Sequence, residues 1–201
     1  MRWRTISYDV AINRNLVVDQ AAALSQAEAD EADESGFLAG NQMYQDLRGC
    51  GWDELARAIA VEREFIFRLQ QAEDLEAEAA RIDDERQDCF DPAEGLWELD
   101  IGVASATIAL SALGAIPVGS CNAGGFGGHH QASRPYVAFY LAATDPELLT
   151  SIARDANVGL SNAAEGLVQI FAAGDLDLVC FAEVALARCA PSPPLPDATP
   201  D

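Results

Sequence analysis

The stretch between Asp100 and Asp145 has a single formally charged residue, Arg134, although charged residues make up 22% of the chain. A segment so poor in charge is typical of a protein core, because ionised side chains are rarely buried. It begins with apolar residues at helical spacing, namely Leu99, Val103, Ala106, Leu110 and Leu113. We expect a helix that ends at Gly114, followed by two strands with the sequences AIPVGSC and PYVAFYLAA.

Two pairs of segments in this half of the chain resemble each other. VGSCNA at 118–123 matches VGLSNA at 158–163, and YVAFYLAATD at 136–145 matches LVQIFAAGD at 167–175. A predicted helix precedes each copy, so the order helix, strand, strand is expected twice, with a closing helix after it. The predicted fold class is α+β. It has a four-stranded, largely antiparallel sheet built from a duplicated helix-strand-strand unit, with helices packed on one face.

An acidic helical region is predicted before this core. The alternation in TISYDVAI at 5–12 is typical of a half-buried strand. Helices are predicted over 16–34, 37–48 and most of 53–88, the last with an apolar stripe along its length. We expect the long helix to form a hairpin with the earlier ones, and a coiled coil with a second copy is the alternative.

The predicted boundary between the two halves lies at Asp91-Pro92, because proline cannot continue a helix. We therefore assign the strand and acidic helical hairpin to 1–92 and the duplicated core to 93–189. Residues 190–201 contain five prolines and are predicted to be a disordered tail.

The net charge of the chain limits its partners. It is −21, all twelve basic residues are arginine, and most of the acids lie in the first half. Such a surface repels nucleic acid and anionic lipid, so neither is an expected partner, whereas a basic protein would be attracted. The simpler interpretation is a solvated acidic surface. Oligomeric state is not predictable from these features.

Cysteine usage and the N-terminal residues favour a cytoplasmic protein. The five cysteines are odd in number and widely spaced, and MRWRTISYDVAI lacks the apolar core of a signal peptide. The stretch 101–118 is uncharged, but its glycine, proline and hydroxyl residues favour a buried core helix running into a strand over a membrane span.

One loop breaks the symmetry between the two copies. The second pair of strands is joined by about four residues, 162–165, whereas the first connection runs over 122–135 and is about ten residues longer. The added residues, GGFGGHHQASR, include both histidines of the chain and lie next to Cys121. The need for a turn does not explain them, so the loop is the candidate functional site.

Four interpretations of this loop remain open. The first is a flexible connection without a ligand. The second is an anion or nucleotide site, in which the N–H groups of the loop glycines converge and Arg134 adds positive charge. Those glycines are Gly124, Gly125, Gly127 and Gly128. The pattern matches neither a P-loop nor GxGxxG before a helix.

The other two interpretations depend on the thiol and the imidazoles. Cys121, His129 and His130 are ligand types that zinc accepts, and Glu98 or Asp100 would complete the set. Alternatively, the Cys121 thiolate is a nucleophile and His129 or His130 is its base. The spacing of these residues does not require either arrangement.

Three functions follow as hypotheses. The first is a binding or regulatory module that captures a small anionic ligand or metal ion in the Cys121–Arg134 loop. The second is a small Cys/His or zinc-dependent hydrolase or transferase. The third is an acidic, immunity or antitoxin-like partner of a basic protein. Trp97 is expected to be a core anchor, and the acids beside it are expected to favour a helix N-terminus.

Overall fold

The computed structural model describes residues 5–127 and 132–191, and within them the chain has an α+β fold. The helices are α1 (Gln26–Ser35), α2 (Trp52–Gln71), α3 (Leu75–Gln87), α4 (Ala104–Ala112), α5 (Pro146–Asp155) and α6 (Asp177–Cys189). The strands are β1 (Arg14–Asn15), β2 (Ile116–Cys121), β3 (Tyr136–Tyr140), β4 (Gly159–Asn162) and β5 (Val168–Phe171). Nearly all of the predicted tail lies outside the described residues.

The sheet is mixed and has five strands in the order β1-β4-β5-β3-β2. The prediction of a four-stranded, largely antiparallel sheet is not confirmed, because β1 adds a fifth strand that runs parallel to β4, while the pairs β2-β3, β3-β5 and β4-β5 are antiparallel. The predicted sheet was therefore one strand short. In this added strand, Arg14 pairs with Leu160 and Asn15 pairs with Ser161 at the sheet edge. The order helix, strand, strand occurs twice, and a common origin of the two units stays a prediction.

Helices cover both faces of the sheet, which corrects the prediction that they pack on one face. The larger hydrophobic core joins α2, α4 and α6 to one face. On the opposite face, Ala29 and Ala32 of α1 pack near Ile116, Val118 and Tyr140. The second cluster forms because alternate residues of a strand point to opposite faces, and both sets here are apolar.

The first half of the chain differs most from its prediction. Residues 5–12 do not form a strand, and only Ser7 bridges to Gly174. The helix expected over 16–34 begins at Gln26, where Ser25 and Glu28 form a capping box. No helix forms over 37–48, because Gly36 ends α1 in the left-handed conformation and the chain then turns. The long helix expected over 53–88 is divided between α2 and α3.

Glu62 of α2 connects the two halves of the chain. Its side chain is fully buried and accepts hydrogen bonds from the backbone N–H groups of Gly102 (2.8 Å), Ala104 (3.0 Å) and Ser105 (3.1 Å). The Ser105 hydroxyl also donates to this carboxylate. Val103 precedes α4 without a capping side chain, so the acid from α2 satisfies the N-terminus of α4 instead.

The uncharged stretch 101–118 forms α4 and the start of β2, both inside the core. None of the helices in residues 5–127 and 132–191 combines the length and apolar character that a bilayer crossing requires.

Candidate functional site

The glycine-rich loop begins with a tight turn, residues 122–127, that Asn122 holds together. The Asn122 side chain is 4% exposed, and its amide donates to the carbonyl oxygens of Ile101 (3.1 Å) and Gly125 (2.8 Å). Its Oδ1 accepts from the N–H of Gly124 at 3.0 Å. We call residues 122–127 the Asn122 turn. Three hydrogen bonds made by one buried side chain therefore hold the turn together.

Phe126 anchors the same turn in the protein interior. Its side chain is 4% exposed and belongs to the main core, although its backbone has a φ of 53°. The ring lies against Gly102, where a Cβ atom would come within 2.8 Å of it. The start of the loop is therefore a packed structure, whereas Gly128, His129 and His130 lie outside the described residues.

Three backbone N–H groups of the Asn122 turn already have acceptors. Ala123 donates to the Sγ atom of Cys121 at 3.3 Å, and Gly124 donates to Asn122 Oδ1 at 3.0 Å. Gly125 donates to the carbonyl oxygen of Asn122 at 3.1 Å. An anion at this turn would have to displace these contacts. The predicted anion site, with Gly124, Gly125 and Gly127, stays a prediction.

Arg134 lies over a different part of the sheet. Its guanidinium stacks 4.0 Å above the ring of Phe171 and donates to Gln169 Oε1 at 3.2 Å. Both partners belong to β5, so these two contacts direct the charge toward β5. Neither contact involves the Asn122 turn.

Cys121 is buried at the end of β2, and its pairing partner in β3 is Tyr136. Burial raises the pKa of Tyr136, and the neighbouring Cys121 adds to that shift. Among the described residues, no acid or base is hydrogen-bonded to the Cys121 thiol, and no group of three metal-ligating side chains is close enough to hold an ion. The predicted catalytic and zinc roles of Cys121, His129 and His130 therefore stay predictions.

Two other thiols, Cys50 and Cys180, have raised pKa values and are therefore poor nucleophiles at neutral pH. Burial and the nearby acids Glu54 and Asp46 raise the pKa of Cys50 to about 11, which leaves very little thiolate at neutral pH. Burial also raises the pKa of Cys180.

A second segment, residues 95–100, runs beside the Asn122 turn, and we call it the strap. Leu96, Trp97 and Glu98 are consecutive residues with φ values of 52°, 50° and 58°. Side-chain-bearing residues rarely adopt this left-handed conformation, and each costs roughly 1 kcal/mol or more. Arg86 compensates by donating to the carbonyl oxygens of Gly95 (3.1 Å) and Leu99 (2.6 Å).

The strap and the Asn122 turn meet at Asp100. The N–H of Asn122 lies 3.5 Å from Asp100 Oδ2, a long hydrogen bond that joins the two segments. Trp97 is half-buried and packs against the main core, so it is not a fully buried anchor. Trp97 and the exposed Glu98 also line a cleft.

This cleft lies between the strap, the outer edge of β2 and the segment 39–47, and we call it the β2 cleft. Its volume is about 550 Å³, and its inner end reaches the buried side chains of Leu47 and Thr107. Trp97 and Tyr136 line it together with the carboxylates of Glu98 and Asp100. Its two charged lining residues are therefore acidic. Arg86 does not line the cleft, but it lies behind the strap, close enough to interact electrostatically with both carboxylates.

A buried acid lies on the other side of the Asn122 turn. Asp175 is 3% exposed; its Oδ2 accepts from the N–H of Ile6 at 3.2 Å, while its Oδ1 has no hydrogen-bond partner in the described part of the chain. Burial raises the pKa of Asp175. Tyr8 donates to the carbonyl oxygen of Asn122 at 3.4 Å, and burial and Asp175 raise its pKa. These contacts connect the N-terminal segment to the turn.

Sequence reasoning located the turn but not the residues that shape it. Asn122, Tyr8 and Asp175 were not singled out, and the strap was expected to belong to a helix start. One sequence signal for Asn122 was present, because both matched segments contain Asn-Ala directly after the strand.

No protein-family model matches this chain, and no curated protein or solved structure is significantly similar to it.

Proposed function

We propose that the protein is a binding module whose ligand occupies the β2 cleft and carries positive charge. The observation that supports this most directly is the charge of the lining, which comes from Glu98 and Asp100 without an arginine among the described lining residues. A cleft with one sign of charge concentrates ligands of the opposite sign. The net charge of −21 acts in the same direction at longer range.

The proposal moves the ligand from the Cys121–Arg134 loop, none of whose described residues lines the cleft, to the β2 cleft beside the start of that loop. Of the two expected ligand classes, small anion and metal ion, it keeps only the positively charged one. Asp100 lies both in the lining of the cleft and against the N–H of Asn122, so occupancy of the cleft and the conformation of the turn are coupled. A metal ion has the right charge for this lining, whereas a small anion does not. The amide groups of the turn, already bonded within it, offer an anion little compensation.

The test is the thermal stability of the full chain with a panel of charged probes. Magnesium chloride, zinc chloride and spermidine represent cations, and inorganic phosphate and AMP represent anions. A ligand that binds only the folded state at 100 times its Kd stabilises it by about 2.7 kcal/mol. We expect at least one cation and neither anion to raise the melting temperature. A shift with the anions alone would contradict the proposal.

A matched pair of variants separates the cleft from the general acidity. Glu98→Gln with Asp100→Asn removes both carboxylates of the cleft and should abolish the cation-dependent shift. Asp19→Asn with Glu31→Gln removes the same two residue types at exposed positions elsewhere, and should leave the shift intact. Equal losses in the two variants would mean that the shift reflects net charge rather than a site.

A second candidate function, the acidic partner of a basic protein, is favoured by the surface of α1. Glu28 caps that helix and Asp30 pairs with Arg48 at 3.0 Å, whereas Glu31 and Glu34 are exposed. Charge reversal at Glu31 and Glu34 therefore tests docking without disturbing the helix. Unchanged recovery of a partner in pull-down experiments would exclude α1 as the docking surface.

The hydrolase or transferase hypothesis stays a prediction about Cys121. Thiol-reactivity profiling together with metal analysis of the purified full chain tests it. An unreactive Cys121 in a metal-free protein would remove this function.

A further inference from the structure

We propose that the positive charge recognised in the β2 cleft is an ammonium or guanidinium group on a small organic molecule. This inference rests on the proposed function, since it specifies the chemistry of the ligand at the same site. Three properties of the cleft support it: its size, its aromatic residues and the free backbone groups at its edge.

The volume of the cleft suits an organic molecule better than a bare ion. At about 550 Å³ it lies within the range of roughly 300–1,000 Å³ that is usual for small-molecule sites. A metal ion needs several ligands converging on one point, and the described residues contain no such group of three. Two carboxylates in a cleft of this size leave most of the space for an organic body.

The aromatic residues supply a second attraction for an organic cation. Trp97 and Tyr136 are half-buried and line the same cleft as Glu98 and Asp100. The face of an aromatic ring attracts ammonium and guanidinium groups, and the attraction is strongest for tryptophan. Leu47, Leu99 and Pro117 add apolar lining that fits the carbon chain of such a ligand.

The edge of β2 provides hydrogen-bonding groups that face the cleft. The carbonyl oxygen of Pro135 accepts from the N–H of Ala172 in the chain after β5, so alternate residues of β3, including Val137, direct their backbone groups toward β5. Ser120 lies opposite Val137, and its own N–H and carbonyl oxygen therefore point away from the sheet.

These Ser120 groups are available to a ligand. Ser120 lines the cleft, and neither of its backbone groups has a partner among the described residues. By contrast, the carbonyl oxygen of Val118 accepts from Asn41 at 2.7 Å, which closes the edge on that side. The Ser120 carbonyl oxygen is an acceptor in the same cleft as Glu98 and Asp100, and an ammonium or guanidinium group has several donors for such a set of acceptors.

Titration calorimetry of the full chain at low salt tests the inference, with agmatine and spermidine as organic probes and magnesium and zinc chloride as metal probes. We expect both organic probes to bind with one site per chain and to shift the indole N–H resonance of Trp97, assigned with Trp97→Phe. Glu98→Gln with Asp100→Asn should weaken agmatine at least about tenfold, because two charge-assisted contacts are lost. Asp19→Asn with Glu31→Gln should change its affinity less than about twofold.

The outcomes separate the two proposals. Metal binding that the cleft variant removes, with no binding of agmatine or spermidine, would overturn the organic ligand and leave the cationic site. Failure of every cation to bind in the cleft would overturn both. The last probe is a peptide with blocked termini and one arginine. If it binds about tenfold more tightly than agmatine, the ligand is a protein segment, and the proposal of a small organic molecule is overturned.

Discussion

Asn122 is a buried amide whose donors and acceptor are all bonded to backbone groups. It joins Ile101, the residue after the strap, to Gly124 and Gly125 in the turn that follows β2. Removing the side chain would leave three buried or half-buried backbone groups without partners. Such groups are expensive because water cannot replace the lost hydrogen bonds.

We therefore predict that Asn122→Ala lowers the free energy of unfolding by about 2–4 kcal/mol in urea titrations. Asn162→Ala is the matched control, because Asn162 is the last residue of β4 and bonds to the N–H (2.8 Å) and carbonyl (3.0 Å) of Val17 nearer the surface. Its loss should be about 1 kcal/mol. Equal losses would contradict the special role of the buried amide.

Gly102 shows how closely the strap side packs on the turn. Its φ of 96° disfavours any other residue, and a Cβ atom would lie 2.8 Å from the Phe126 ring. Gly102→Ala should therefore destabilise the fold by about 2–4 kcal/mol, measured by urea unfolding, because strain adds to overpacking. Gly119→Ala meets no atom within 4 Å and should cost less than about 1 kcal/mol. A neutral Gly102→Ala would mean that Phe126 is not fixed against Gly102.

At the scale of elements, Glu62 replaces the missing cap of α4. We predict that Glu62→Ala costs about 3–5 kcal/mol of unfolding free energy, because the N–H groups of Gly102, Ala104 and Ser105 lose their acceptor inside the core. Ser105→Ala removes only one donor and should cost about 1 kcal/mol. Losses of similar size would show that the cap is not the main role of Glu62.

The same carboxylate gives a pH dependence with a defined sign. Burial raises the pKa of Glu62 above its ordinary value of 4.5, so the folded state holds a proton that the unfolded state has released. Stability contributed by this group is therefore present below pH 4.5 and falls as the pH rises toward the folded-state pKa. The difference in unfolding free energy between the natural chain and Glu62→Gln should shrink over that interval. A difference that grows with pH would contradict the raised pKa.

The elements that sequence reasoning located best are those whose pattern has a local cause. α5 begins at Pro146 after the capping residue Asp145, and both were visible in the sequence. The strap was not predictable in this way. Its left-handed residues are stabilised by Arg86, which lies in α3 and donates to the carbonyl oxygens of Gly95 and Leu99. No pattern within residues 95–100 themselves indicates this contact.

The strand predicted over 5–12 illustrates the opposite error. Its alternation does reflect half-burial at Tyr8, Val10 and Ile12, and Tyr8 reaches the Asn122 turn, although Ile6 is exposed. Alternate side chains can be buried without the backbone hydrogen bonds of a sheet, and within 5–12 only Ser7 forms an isolated bridge, to Gly174. The site predicted at Cys121 and the loop after it stays a prediction, and none of the described residues there lines the β2 cleft. The cleft was not predictable, because its walls come from three segments far apart in the sequence.

At the scale of the whole molecule, the two halves of the chain share one core. Leu55 and Leu69 of α2 are completely buried in the same cluster as Ile108 of α4 and Phe181 of α6. The acid that caps α4 also comes from α2. A boundary at residue 92 therefore separates segments of the sequence, while the packing extends across it.

The last prediction follows from this packing. A fragment of residues 93–191 retains β2 to β5 but loses β1, the cap of α4 and the helix that covers α4 and α6. We expect it to melt without a cooperative transition in circular dichroism, because the exposed apolar face leaves too little buried surface to offset the loss of chain entropy. The control is 1–191, which keeps every described element and should unfold cooperatively. Mixing 1–92 with 93–191 should restore part of the helical signal. A cooperative transition and dispersed amide resonances for 93–191 alone would instead make that half an autonomous domain.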